Sequence, residues 1–166
     1  MLETKRLVLR MPKADDDYFL HLLNKDEDVM KYVGPVKSRE ESADYFRLAR
    51  SITTEHFGYR IAIEKSTAEF VGWFVLKHLD QTNQIELGYR LMKKYWGKGF
   101  ATEGAEKMIQ FAFEKLNLEK LVAVTMPEND ASQKVLNKLG FRFMNEDTYY
   151  NHRLNLFELQ KSKYII

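Results

Sequence analysis

The chain has 166 residues, 45% of them hydrophobic and 30% charged, which fits one globular domain with its own core, spanning 1–166. Its 26 basic and 24 acidic residues leave a formal net charge of +2, too small a field to favour nucleic acid or an anionic membrane as partner. Zero cysteines exclude disulfides, thiolate metal sites and a cysteine nucleophile. Leu2-Glu3-Thr4-Lys5-Arg6 puts charge where a signal peptide needs its apolar core, so a cytoplasmic protein is expected.

Leu7-Val8-Leu9-Arg10 reads as a first strand, ended by Met11-Pro12. Asp15, Asp16 and Asp17 then favour a helix start, with Phe19, Leu22 and Leu23 as its apolar stripe. Ser38 and Glu41 have capping-box spacing and open a second helix through Tyr45, Phe46, Ala49 and Ile52. From Tyr59 the period changes to two. Three runs, Tyr59–Ile63, Phe70–Leu79 and Ile85–Met92, predict a meander with turns at Ser66-Thr67 and Asp80–Asn83.

Ala101, Ala105, Met108, Ile109, Ala112, Phe113 and Leu116 fall on one helical face, and Leu121–Val124 is apolar enough for an inner strand. Strand, helix and strand form a parallel βαβ unit. A last helix should run from about Asp130 to Leu139 and stop at Gly140, followed by strands at Phe141–Phe143 and Leu154–Leu159. His21, His56, His78 and His152 have no metal-binding spacing, so no metal is expected. Trp73, Phe74, Tyr149 and Tyr150 read as core or groove wall rather than a stacking platform for bases.

The informative stretch is Tyr95-Trp96-Gly97-Lys98-Gly99-Phe100-Ala101-Thr102-Glu103, between a strand and the most regular helix. Helix N-terminal N–H groups lack intrahelical partners and, with the helix dipole, favour phosphate oxygens. Gly97 and Gly99 carry no side chain to hold a pyrophosphate off that backbone. The alternative is a plain tight turn. A dinucleotide fold would need a third small residue where Thr102 stands, and no Gly-Lys-Ser/Thr closes a P-loop.

This segment, with Ile85-Glu86-Leu87-Gly88-Tyr89-Arg90-Leu91 before it and Asn129-Asp130-Ala131-Ser132 through Lys138-Leu139-Gly140-Phe141 after it, resembles the GNAT N-acetyltransferases, particularly the branch of ribosomal-protein N-terminal acetyltransferases. The resemblance covers nearly the whole chain. It implies an α/β (α+β) fold with a central mixed, mostly antiparallel sheet of about six to seven strands flanked by about four helices. It implies acetyl-CoA as co-substrate and an amine as acceptor, a ribosomal protein N-terminus among the candidates, in a monomer or homodimer.

By the same resemblance, Lys94, Gly97, Lys98, Gly99, Phe100, Ala101 and Thr102 bind the coenzyme. One departure is Lys94, where the family usually has Arg or Gln; lysine keeps the charge without the planar fork. Asn129 caps a helix, hydrogen-bonds the pantetheine amide, or does both. A backbone N–H near Leu91-Met92 is the expected oxyanion donor. Lys134 and Lys138 lie toward the adenylate end, or form a solvated face.

An amine acceptor is an ammonium at neutral pH and must lose a proton before it attacks a thioester. Glu86 is the candidate base, sharing a strand face with Gly88, Arg90 and Met92; the alternative is a surface carboxylate paired with Arg90. The family's usual acid, a tyrosine, is replaced by Leu136. In the branch that this chain resembles, the serine at position 132 takes the role, so Ser132 is the candidate donor to the thiolate, against a local capping role. The missing tyrosine leaves a non-catalytic acyl-coenzyme A-binding module, or a protein-interaction domain, as alternative functions. Asp15–Asp17 and Asp26–Asp28 could attract a basic acceptor or could simply start helices.

Overall fold

The computed structural model describes residues 1–164. Strand β1 is Leu2–Glu3 and β2 is Leu7–Arg10, where Leu7 and Leu9 are fully buried on one face. Helices α1 (Asp17–Asn24), α2 (Glu27–Met30) and α3 (Arg39–Ser51) follow. The meander is β3 (Gly58–Glu64), β4 (Phe70–His78) and β5 (Ile85–Leu91). Helix α4 (Phe100–Gln110) runs on through a π-helical turn, Phe111–Lys115, to β6 (Lys120–Thr125). Helix α5 (Asp130–Lys138) leads into β7 (Arg142–Tyr149) and β8 (His152–Gln160).

One sheet holds all eight strands in the order β1-β2-β3-β4-β5-β6-β8-β7. Every pairing is antiparallel except β5 with β6. The strand period of two sorts β4 onto both faces. Phe74 and Leu76 join Leu87, Leu91, Ala105, Met108 and Ile109 under α4, while Trp73 and Val75 pack with Leu20, Leu23, Phe46 and Ala49 from α1 and α3. Helix α4 sits so close that a Cβ on Gly104 would lie 2.1 Å from Phe74 Cζ.

Local signals act as the sequence predicts at two places. Ser38 and Glu41 exchange both capping-box bonds at the start of α3. At the end of α5, Gly140 takes φ +88°, and the N–H groups of Gly140 and Phe141 bond Asn137 O and Leu136 O, closing a Schellman motif over the buried Leu136–Phe141 pair.

Three features differ from the sequence reading. Strand β1 and the one-turn α2 are too short to show a period, and they raise the counts among the described residues to eight strands and five α-helices. Strand β7 extends to Tyr149, because Tyr150 and Asn151 both turn with positive φ and fold it onto β8. Helix α1 starts at Asp17 as expected, but the Asp16 carboxylate is engaged elsewhere, buried in a two-pronged pair with Arg10 (2.6 and 2.7 Å) and accepting the Lys13 N–H.

Candidate active site

The glycine turn is held open by backbone conformation. Gly97 (φ +70°) and Gly99 (φ +81°) occupy left-handed backbone, and a Cβ on Gly97 would meet no atom within 4 Å. Gly97 therefore serves a bend and an open approach, while a Cβ on Gly99 would touch Arg6 Nη2 at 3.4 Å. The first helical bond of α4 runs from Glu103 N–H to Gly99 O at 3.0 Å, so the Phe100, Ala101 and Thr102 N–H groups lie ahead of the ladder. Side chains cap α2, α3 and α5, whereas none caps α1 or α4. Open amides at the positive end of a helix dipole fit a pyrophosphate.

The turn is braced from the N-terminal segment. Arg6 Nη1 donates to Lys98 O at 2.9 Å, its guanidinium lies 4.0 Å over the buried Phe100 ring, and its Nε meets Glu103 Oε2 at 2.6 Å. Thr4 Oγ1 (2.5 Å) and the Arg6 N–H (2.8 Å) complete the Glu103 carboxylate. Burial alone would raise the Glu103 pKa, but these donors outweigh it and hold the group below the usual range. None of these long-range partners carries a sequence signal. Lys94 faces Glu69 at 2.7 Å, so its ammonium reaches a phosphate only by leaving that pair. Lys138 borders a cleft with Arg6, Thr102 and Lys163, while Lys134 is simply exposed.

Beyond the turn, β5 and β6 register through one pair, Glu86 opposite Val122. The Met92 N–H is taken by Val71 O at 2.9 Å. By the alternation of an antiparallel ladder, the Leu91 N–H turns away from β4 toward β6. Of the two expected oxyanion positions, Leu91 therefore has the amide on the free side. Trp96 Nε1 fixes the Leu91 carbonyl at 2.9 Å.

Glu86 is 8% exposed and does not meet Arg90. Its Oε2 accepts from Lys77 Nζ at 3.0 Å and from Tyr150 OH at 2.5 Å, and Tyr150 in turn accepts the Asp80 N–H at 2.9 Å. The surface pair with Arg90 is corrected by these contacts. Arg90 instead lies partly buried, with Nη1 at 3.0 Å from Asn24 Oδ1 and the guanidinium 4.8 Å over the Trp73 ring.

Across the gap, Asn129 Oδ1 caps α5 by accepting the Ser132 N–H at 3.1 Å, which leaves its Nδ2 without a protein acceptor among the described residues. Ser132 does not cap. Its hydroxyl meets Tyr89 OH at 3.1 Å, a partner 43 positions away that sequence reading did not single out. Burial pushes the Tyr89 phenol up to about 12, against a lowering by Ser132. Leu136, where the family's tyrosine would stand, is buried in the core.

A model of the GNAT acetyltransferase domain matches residues 6–142. The chain belongs to the GNAT acetyltransferase family. An uncharacterized N-acetyltransferase, p20 of Bacillus licheniformis, is 35% identical over 145 residues, 85% of this chain and 82% of that one. The fold of this GNAT chain is shared with the spermidine N-acetyltransferase of Vibrio cholerae, solved with CoA and spermine (TM-score 0.79, 20% identity, 97% of this chain and 99% of that one). It is shared too with the ribosomal-protein-S5-alanine acetyltransferase of Vibrio fischeri (TM-score 0.77, 20% identity, 99% and 98%). Membership makes this an acetyl-CoA-dependent N-acetyltransferase, and the open glycine turn fits that coenzyme. Among the described residues, no group of three or more His, Cys, Asp or Glu is placed to hold a metal, and no helix is long and apolar enough to cross a membrane.

Proposed function

We propose that this chain carries the acetyl group of acetyl-CoA to a primary amine by direct attack within a ternary complex. The observation that supports it most is the open glycine turn at the end of β5, the strand that also carries Glu86, Tyr89 and Leu91. Backbone N–H groups from Gly97 to Thr102 hold the pyrophosphate, Asn129 Nδ2 binds the pantetheine arm, and Leu91 and Met92 border it.

Glu86 Oε1 takes a proton from the acceptor ammonium, and the freed nitrogen lone pair forms the new N–C bond. The Leu91 N–H donates to the carbonyl oxygen as it gathers charge. The C–S bond breaks as the nitrogen releases its second proton; the Ser132 hydroxyl, held by Tyr89, passes its proton to the departing sulfur and is reprotonated by the one that the nitrogen gives up. A cysteine-free chain has no thiol to carry an acetyl-enzyme. A cytoplasmic location belongs to the same reading.

The test is release of free thiol from acetyl-CoA across a panel of ribosomal protein termini, polyamines, amino acids and amino sugars, with the acetylated product identified by mass. Amine-dependent release is expected for at least one class. A protein that binds the coenzyme yet releases no thiol with any amine would overturn the proposal.

A further inference from the structure

Alternate residues of a strand share a face, so Glu86, Gly88 and Arg90 stand in a row on β5. Gly88 puts no side chain of its own between the two charges, and Val75 packs closely against its backbone. A Cβ placed there would lie 3.8 Å from Glu86 Oε1 and 3.0 Å from Val75 Cγ1. Glu86 Oε1 accepts no hydrogen bond among the described residues and is not sealed from solvent, since both donors sit on Oε2. One carboxylate oxygen therefore lies on the Gly88 side of the strand with a free lone pair.

At the other end, Arg90 offers the opposite charge. Its Nη1 is held by Asn24 Oδ1 and by Met30 Sδ at 2.9 Å. Asn24 is itself buried and fixed by Ser42 Oγ at 3.2 Å, which bonds back to Ser38 O at 2.8 Å. The position is therefore built from α1, α2 and α3 together. Yet Nε and Nη2 have no acceptor among the described residues, neither is sealed, and none of the ion pairs found there includes Arg90. Arg60 makes the contrast: it is also buried without an acid, but the carbonyls of Tyr59, Thr54 and Glu55 occupy its fork.

A guanidinium drawn partly out of water and oriented by neutral groups gains most from an incoming carboxylate, which can take two parallel N–H bonds. A basic acceptor would need free acids, and several of the aspartates at the starts of α1 and α2 already have partners. Asp26 caps α2, Asp28 pairs with Lys93, Asp16 pairs with Arg10 and Asp17 pairs with Arg39. Trp73, stacked on Tyr59 at 4.2 Å, adds an apolar wall beside Arg90.

We infer that Arg90 binds the carboxylate of the acceptor while the acceptor's ammonium faces Glu86 Oε1, so that the substrate class is an amino carboxylate rather than a polyamine. The inference rests on the acetyl-transfer reading for what happens to that amine, but not for the binding. A strand places the Cα atoms of Glu86 and Arg90 about 13 Å apart, so the chain length between amine and carboxylate is a variable of the test.

The test compares alanine, phenylalanine, β-alanine and 5-aminopentanoate, each with its own carboxamide. Binding to the coenzyme A-saturated protein is measured by calorimetry, and thiol release from acetyl-CoA is followed in parallel. For at least one pair the carboxylate should bind about 10- to 100-fold tighter, the span of a charge-assisted hydrogen bond. Arg90→Gln should bring that ratio to within about threefold of unity, and Arg90→Lys, which keeps charge without the fork, should retain part of it. A wild-type ratio near unity for every pair overturns the inference even if no variant folds, as does a preference that survives Arg90→Gln. A carboxylate preference without thiol release supports this inference and sinks the transfer reading; thiol release without the preference does the reverse.

Discussion

The hydroxyls of Tyr89 and Ser132 meet at 3.1 Å and join β5 to the first turn of α5. With Asn129 already serving as the cap, the Ser132 hydroxyl is free of a capping role, and the proposed mechanism makes it the donor to the thiolate. Ser132→Ala should slow the chemical step by about 10²–10⁴-fold, as expected for a positioned proton donor, with little change in stability. Tyr89→Phe should cost less, on the order of tenfold, by freeing the serine rotor. Single-turnover rates on folded protein check both; a Ser132→Ala rate within about threefold of wild type, against that expected loss, would leave solvent as the proton source.

Glu86→Gln keeps the shape that Lys77 and Tyr150 grip but removes the basicity. Turnover should fall most at the acid end of a profile from about pH 6 to 9, where the acceptor is still an ammonium. Coenzyme affinity should barely move. Full rate across that range with a saturating acceptor would remove Glu86 from the mechanism.

The brace under the glycine turn makes a prediction about acid. Because Thr4 and Arg6 hold the Glu103 pKa down against burial, its contribution to stability is present above the unfolded value of about 4.3 and is lost as pH falls through the folded value. Glu103→Gln should therefore lower stability by about 1 kcal/mol at pH 7, where the Arg6 partner is partly exposed. The deficit should shrink toward pH 3, and coenzyme affinity should drop with it as the turn loosens. Denaturant melts at pH 7 and pH 3 decide; a pH-independent deficit would mean that lost packing, not charge, explains the loss.

Much of this architecture is legible because local chemistry dictates it. Ser38 with Glu41, Gly140 after α5, the period-two runs and the two glycines before α4 each fix backbone within a few residues. The partners that give the site its electrostatics are not local. Glu86 with Tyr150 and Tyr89 with Ser132 are joined only by the sheet order and the β7–β8 hairpin, and Tyr150 is a residue type that a positive φ disfavours. The alternative of a Glu86–Arg90 pair rests on their shared strand face alone; Arg90 instead bonds Asn24 on α1, a partner 66 positions away.

Gly104 should reverse the usual helix rule. An alanine in a helix interior is worth about 1 kcal/mol over glycine, yet the new Cβ would stand 2.1 Å from the fully buried Phe74 ring. Overpacking of a core costs about 1–3 kcal/mol, so Gly104→Ala should destabilise on balance. A raised melting temperature for this variant would show that α4 can lift off the sheet freely.

If the backbone of the glycine turn holds acetyl-CoA, calorimetric titration of Gly99→Val against wild type will register it. Valine at φ +81° carries about 1–2 kcal/mol of backbone strain, which the fold should survive, and its branched side chain would stand where the phosphates approach the open amides. Binding at one site is expected in the wild type, with a loss of about 100-fold or more in the folded variant, comparable to about 3 kcal/mol of lost phosphate contacts. Equal affinity in a folded Gly99→Val protein would contradict it and move the coenzyme elsewhere on the molecule.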